Sequence, residues 1–236
     1  VAIQRDQIIQ TAFRLLDEEG LDGMTLRKLA CGLGVRAPSL YWHFAGKRAL
    51  LDAMADALLA DVALAIPPGQ PWRDTLHQVA AELRRAFKRR RDGARVYAGS
   101  YVAGTHVLRT GEALTRAFVD AGADPEFAAG AGLHVMYYVL GFVIEEQALP
   151  AYADEAEQIR GAFLEMARAQ FPCLWAARNA LVELDEPTFD ARFREGLELL
   201  FDGVELRLAR AAGGAGGAPR PPPARPSLPV RARKRP

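Results

Sequence analysis

Between residues 35 and 54 the chain reads VRAPSLYWHFAGKRALLDAM, which sets Ser39, Tyr41, Trp42 and His43 just ahead of two adjacent cations, Lys47 and Arg48. Tyr and His donate to phosphate oxygens, Ser reaches a phosphate or a base edge, and a Lys at the start of a helix adds a cation beside backbone N–H groups. Three neighbouring rings span most of one turn and cannot all face inward, so one or two of Tyr41, Trp42 and His43 are exposed. Leu40 and Phe44 are read as core. This is chemistry for holding a polyanion. Other pairings are weaker: Glu145 with Glu146, and Glu155 with Glu157, sit on helical stretches where adjacent side chains diverge by about 100°. No nucleophile elbow, metal motif or phosphate loop accompanies them, and His77, His106 and His134 are not paired at ligand spacing. We assign no catalytic residue, no metal and no cofactor.

The elements around this stretch must present it. Residues 4–19 carry Ile9, Ala12, Phe13 and Leu16 at helical spacing, and Gly20 ends that helix. Thr25 is a plausible N-cap for TLRKLACGLGV, Leu26, Leu29 and Ala30 give its buried face, and GLGV supplies a tight turn. Pro38 suits the first turn of a short third helix, Pro38 to Phe44, and a fourth runs from Lys47 to Ala65, where IPPGQP breaks it. Two short helices joined by a glycine turn form a helix-turn-helix, whose second helix enters the major groove. Arg27 is placed to read a guanine or hold a phosphate. With Thr25, Arg36, Pro38, Ser39, Tyr41, Trp42, His43 and Lys47 it completes the expected DNA-facing set.

Further along, the periodicity predicts helices over 72–90, 94–100, 108–121, 125–148, 154–170 and 188–211, with breaks at RDGAR, AGADP, ALPAY and LDEPT. Nothing alternates convincingly as a strand, so the chain is expected to be all-α. The expected division is a helix-turn-helix domain over 1–46, a connecting helix and loop over 47–70, a ligand-binding and dimerisation domain over 71–211, and a disordered basic tail over 212–236. Residues 207–236 hold eight cations and no acid, so the net charge of +1 leaves −7 on the remainder. An acidic body binds nucleic acid through a local surface only. Cys31 and Cys173 stand alone and far apart, which predicts two small core residues rather than a disulfide. No apolar run is expected to span a bilayer and VAIQRDQIIQ lacks a signal-peptide pattern, so the expected address is cytoplasmic, without a membrane partner.

These residues carry a resemblance. TLRKLACGLGVRAPSLYWHFAGKRALLDAM resembles the DNA-binding domain of the TetR family of bacterial transcriptional repressors, and FKRRRDGARVYAGS, LGFVIEEQ and REGLELLFDGVE resemble stretches of its ligand-binding and dimerisation domain. The likeness covers about residues 5 to 210. It implies a homodimer that binds a palindromic operator and is released by a small effector. The alternative is a constitutive DNA-binding or architectural protein whose second domain only dimerises.

The resemblance also implies a dimer interface built from the helices over 125–148 and 188–211, with Phe193, Leu197, Leu200, Phe201 and Val204 in its stripe. In the tetracycline-responsive branch of the family a magnesium-bound drug is held at positions matching Ala63, Val79, Tyr97, Ser100 and Glu145, of which only Ser100 and Glu145 keep comparable chemistry. A metal-chelated effector is therefore not expected. The implied pocket is lined by Leu83, Phe87, Tyr97, Tyr101, Leu133, Met136 and Tyr137, each of which could equally be core. Such a lining, with Ser100 and Glu145, suits a flat, largely apolar ligand of aromatic or polyketide-like character.

Overall fold

The computed structural model describes residues 3–183 and 185–213, and the basic tail lies almost wholly outside them. Described residues form α1 (Arg5–Gly23), α2 (Leu26–Gly32), a 3₁₀ segment (Ala37–Trp42) and α3 (Lys47–Leu58). After a break come α4 (Trp72–Lys88), α5 (Gly93–Ala98), α6 (Thr105–Asp120) and α7 (Pro125–Ala148). A second 3₁₀ segment (Leu149–Glu155), α8 (Ala156–Gln170), α9 (Pro172–Ala176), α10 (Arg178–Val182) and α11 (Glu186–Gly213) complete the all-helical architecture.

Two cores meet at the end of α3. The head core gathers Ile8, Phe13 and Leu16 of α1, Leu29 of α2, Leu40 and Phe44 around the first 3₁₀ segment, and Leu50, Met54 and Leu58 of α3. Beyond Leu58 the clustered buried residues other than Val96 belong to the body core, where α4, α6, α7 and α11 supply Leu83, Phe87, Phe118, Val139 and Phe201. Local signals place the ends: Gly20 takes φ 74 and interrupts α1, Thr25 accepts from the Lys28 N–H at 3.2 Å, and Asp124 accepts from the N–H groups of Glu126 and Phe127, both at 3.1 Å.

Several expectations need correction. The third helix is a 3₁₀ turn of six residues, Ala37–Trp42, one of the short pieces in which i→i+3 bonding is used. The fourth helix stops at Leu58 rather than Ala65, and Ala63 lies at φ 54 beyond it. Cys31 and Cys173 are exposed, not core. α7 is long and apolar enough, by length and composition, to cross a membrane. It is instead packed against α4, α5, α6 and α11, so its apolarity serves contacts on several sides.

The body contains one deeply placed ionic cluster. Arg84 of α4 donates to both Glu146 oxygens (2.9 and 2.6 Å) and to Asp190 (2.5 Å), while Lys88 adds a bond of 2.9 Å to Glu146. Glu146 is 7% exposed. Burial pushes its carboxyl up, but the hydrogen bonds from Arg84 and Lys88 outweigh that and hold it below its ordinary value. Three helices are thereby tied through one guanidinium, which also lies over the rings of Phe142 and Phe193.

Candidate nucleic-acid interface and effector site

The interface begins at the capped α2. Its C-terminal turn closes with Gly34 at φ 67, with Gly34 N–H donating to Cys31 O and Val35 N–H to Ala30 O, both at 3.0 Å. Glycine takes this left-handed conformation without the Cβ penalty, and the chain reverses into Ala37–Trp42. Leu40 and Phe44 anchor the turn in the head core at 1% and 4% exposure, which forces their neighbours outward. Tyr41 is 57% and Trp42 91% exposed. An indole so bare on a pinned turn has no packing role in one protomer.

Thr25, Arg27, Arg36 and Pro38 are also exposed, and Ser39 and His43 are half-buried on the same segment. None of the expected DNA-facing residues is therefore consumed by the head core, and one of them, Lys47, is engaged elsewhere. Lys47 is exposed but donates to the Leu21 carbonyl at 3.3 Å, so its ammonium fastens α3 to the end of α1 instead of reaching out alone. Lys28, which the sequence did not single out, pairs with Glu19 at 2.8 Å.

The head is joined to the body by bonds that sequence reasoning missed. Asp92, at φ 56, accepts from the Leu21 N–H at 2.8 Å and from Arg95 at 3.0 Å. Burial pushes its carboxyl up, but those hydrogen bonds prevail and hold it below its ordinary value. Arg90 pairs with Asp17 at 2.7 Å and Arg95 with Asp22 at 3.1 Å. A run of cations beside an aspartate, KRRRDGAR, was the only signal available, and it reads equally well as a solvated turn.

The expected effector lining is divided by the fold. Leu83 and Phe87 are sealed in the body core, and Met136 is 7% exposed. Phe87 meets Tyr97 at a centroid distance of 5.2 Å, and burial, with smaller contributions from Asp56 and Tyr137, raises the Tyr97 phenol above its ordinary value. By contrast Tyr101, Leu133 and Tyr137 stand 92%, 53% and 61% exposed, and Glu145 is exposed as well. The Ser100 hydroxyl donates to Val96 O at 2.9 Å. Within one protomer the expected lining separates into a buried set, Leu83, Phe87 and Met136 with the half-buried Tyr97 packed on the same core, and an exposed set, Tyr101, Leu133, Tyr137 and Glu145. A separate groove of about 890 Å³ lies between Leu149, Tyr152, Ile159, Phe163, Leu181 and Phe189.

Ala63 and Val79 are buried and apolar, so two of the positions that the resemblance gave to a chelated drug offer it no donor atom. Among the described residues no group of three His, Cys, Asp or Glu is placed to hold a metal ion.

Three of the five expected dimer residues belong to their own protomer's core. Phe193, Leu197 and Phe201 are buried within their own protomer at 3%, 1% and 0% exposure, while Leu200 and Val204 are half-buried against the same core. Tyr138 holds α11 close to α7 by donating to the carbonyls of Arg192 and Phe193 at 3.2 and 3.1 Å, and burial pushes its phenol up to about 12. The outward side of α11 carries Leu199 and Leu206, 71% and 52% exposed, with Gly203 between them.

A pinned 3₁₀ reader after a capped helix, on a head fused to a helical body, defines a helix-turn-helix DNA-binding regulator. Comparison with known proteins makes this specific. Residues 8–54 match the family described as bacterial regulatory proteins, tetR family, and residues 67–208 match the tetracyclin repressor-like C-terminal domain. The chain belongs to the TetR family of non-enzymatic, ligand-responsive transcriptional repressors. It is similar to the class A tetracycline repressor protein from transposon 1721 of Escherichia coli, 41% identical over 87% of this chain and 92% of that protein. A possible TetR family regulator from Streptomyces coelicolor A3(2) superposes with a TM-score of 0.75 at 37% identity, covering 88% of this chain and all of the other. ActR of Streptomyces coelicolor, solved in complex with actinorhodin, superposes with a TM-score of 0.77 at 29% identity, covering 90% of this chain and 98% of its own.

Proposed function

We propose that the protein is a cytoplasmic homodimeric repressor that binds a palindromic operator through Arg27, Ser39, Tyr41, Trp42 and His43, and that a flat, largely apolar effector of aromatic polyketide type releases it. The observation that carries the DNA-binding part is the exposure of Tyr41 and Trp42 on a turn held rigid by Leu40 and Phe44. The effector class is supported by the aromatic pair of Phe87 and Tyr97 and by the apolar residues where a chelated drug would need donors. That ActR was solved with actinorhodin is consistent with this class.

The partner face is the outward side of α7 and α11, with Tyr137, Leu199 and Leu206 in contact across the two-fold and Gly141 and Gly203 allowing close approach of the helices. The constitutive alternative remains the second reading. Duplexes selected from a random pool, then titrated with actinorhodin, decide between them: release supports a ligand-responsive repressor, retention of DNA by a protein that binds actinorhodin favours the constitutive one, and binding to DNA without selection of a palindrome refutes the operator-binding repressor and favours an architectural role.

A further inference from the structure

At the boundary between the two cores, two helices cap one another. Helix ends leave backbone N–H and C=O groups without intrahelical partners, and each orphan must be met from outside. Asp56, in the last turn of α3, accepts through Oδ1 from the N–H groups of His106 and Val107 at the start of α6, both at 3.0 Å. Arg109, one turn into α6, donates back to the carbonyls that follow α3: Leu59 O at 2.9 Å, Ala60 O at 2.7 Å and Val62 O at 2.9 Å. A carboxylate at an N-terminus and a guanidinium at a C-terminus both match the helix dipoles.

The location gives this exchange its significance. Leu58 belongs to the head core and Leu59 to the body core, so the captured carbonyls lie where the chain passes from one to the other. Val96, also in the head core, begins the stretch that runs through Tyr97 and Ser100 and ends on the Asp56 cap. Gly104 fits this stretch tightly, since a Cβ there would collide with the Asp56 carboxylate. Displacement of Gly104 toward α3 therefore presses directly on the Asp56 carboxylate.

We infer that Asp56 and Arg109 are positioning residues that lock the end of α3 to the start of α6, so that contacts made around Tyr97 and Ser100 reset the DNA-binding head. This rests on the DNA-binding and effector reading above. By linkage, the same lock must carry a signal in the opposite direction, from bound DNA to the body.

Hydrogen exchange on the full chain, with and without a duplex selected from a random pool, tests the lock without an identified effector. In the parent, bound duplex should slow exchange by about tenfold or more across residues 99–107 as well as in the head. Asp56→Ala and Arg109→Met should still bind the duplex, with their response confined to the head. Asp56→Asn, which keeps an acceptor oxygen, should recover part of the distant response. A purely structural loss would alter exchange equally with and without DNA, and that pattern overturns the inference. So does an unchanged response at 99–107 in both variants, or its absence in the DNA-bound parent. Failure of the parent to bind any duplex refutes the DNA-binding reading itself, and the lock with it.

Discussion

The head and the outward side of α7 and α11 bury apolar surface under different conditions. In the head, Ile8, Phe13, Leu29, Leu40 and Leu50 close a core entirely within one chain, leaving the polar and aromatic recognition residues outside. On the body, one side of α11 is consumed by its own core through Phe193, Leu197 and Phe201, while Leu199 and Leu206 remain uncovered on the other. A self-sufficient core leaves its surface free for a ligand of different chemistry. A helix with apolar residues on two sides has filled one of them and still presents the other.

That contrast is most sharply tested at Leu199. Leu199→Asp places a charge that would be desolvated and unpaired in a dimer, at a cost of several kcal/mol, while in a lone protomer it is solvated. The variant should sediment as a monomer at micromolar concentration and lose about a hundredfold or more in operator affinity, since a two-half-site target needs two heads. Its far-ultraviolet circular dichroism should be unchanged. A dimeric Leu199→Asp protein would move the partner face elsewhere.

The same contrast explains what could be read from the sequence. The head was legible because each of its helices has one wet side and one dry side: Leu40 and Phe44 read as buried, at least one or two of Tyr41, Trp42 and His43 as exposed, and Thr25 as the cap, and the structure leaves Tyr41 and Trp42 the most exposed of the three. Its main error, an α-helix where a 3₁₀ turn forms, changes the pitch but not which residues face out. The body was less legible because α7 is apolar almost all round, so periodicity carries little information about direction. The exposure of Leu133 and Tyr137 was therefore not legible, and Phe193, Leu197 and Phe201 were assigned to a partner although they fill their own core. The clasp of Asp56 and Arg109 spans 53 positions, and no local pattern announces such a pair.

A second test asks how far the body depends on its polar interior, for which the head has no counterpart. Glu146→Ala leaves Arg84 with Asp190 alone in a largely buried site, and should lower unfolding stability by about 3 kcal/mol, read from a urea transition. The parent's pH dependence has a definite sign. Because the Glu146 carboxyl is held below its ordinary value in the folded protein, its contribution is complete above the unfolded value of about 4.3 and is lost as pH falls through the lower folded value. Stability should therefore fall more steeply with acid in the parent than in Glu146→Gln. Equal slopes would show that the ionic cluster contributes little across that window.

The smallest effects are expected on the head itself, where a substitution leaves the core intact. Arg27→Ala should cost about 1–3 kcal/mol on the selected duplex and relax preference at one position of each half-site, if the guanidinium reads a base. Tyr41→Phe removes only a hydroxyl from a ring that is already more than half exposed. It should weaken selected and unrelated duplexes alike, by about 1 kcal/mol, because a neutral hydrogen bond to a phosphate carries no sequence information. The slope of log K against log salt should stay unchanged, since a phenol releases no counterion when it binds. Titrations of both duplexes at three salt concentrations separate the possibilities. A loss confined to the selected duplex would move Tyr41 from the phosphate backbone to a base edge. Equal binding by parent and variant would leave Trp42, His43 and Ser39 as the contacts made by this turn.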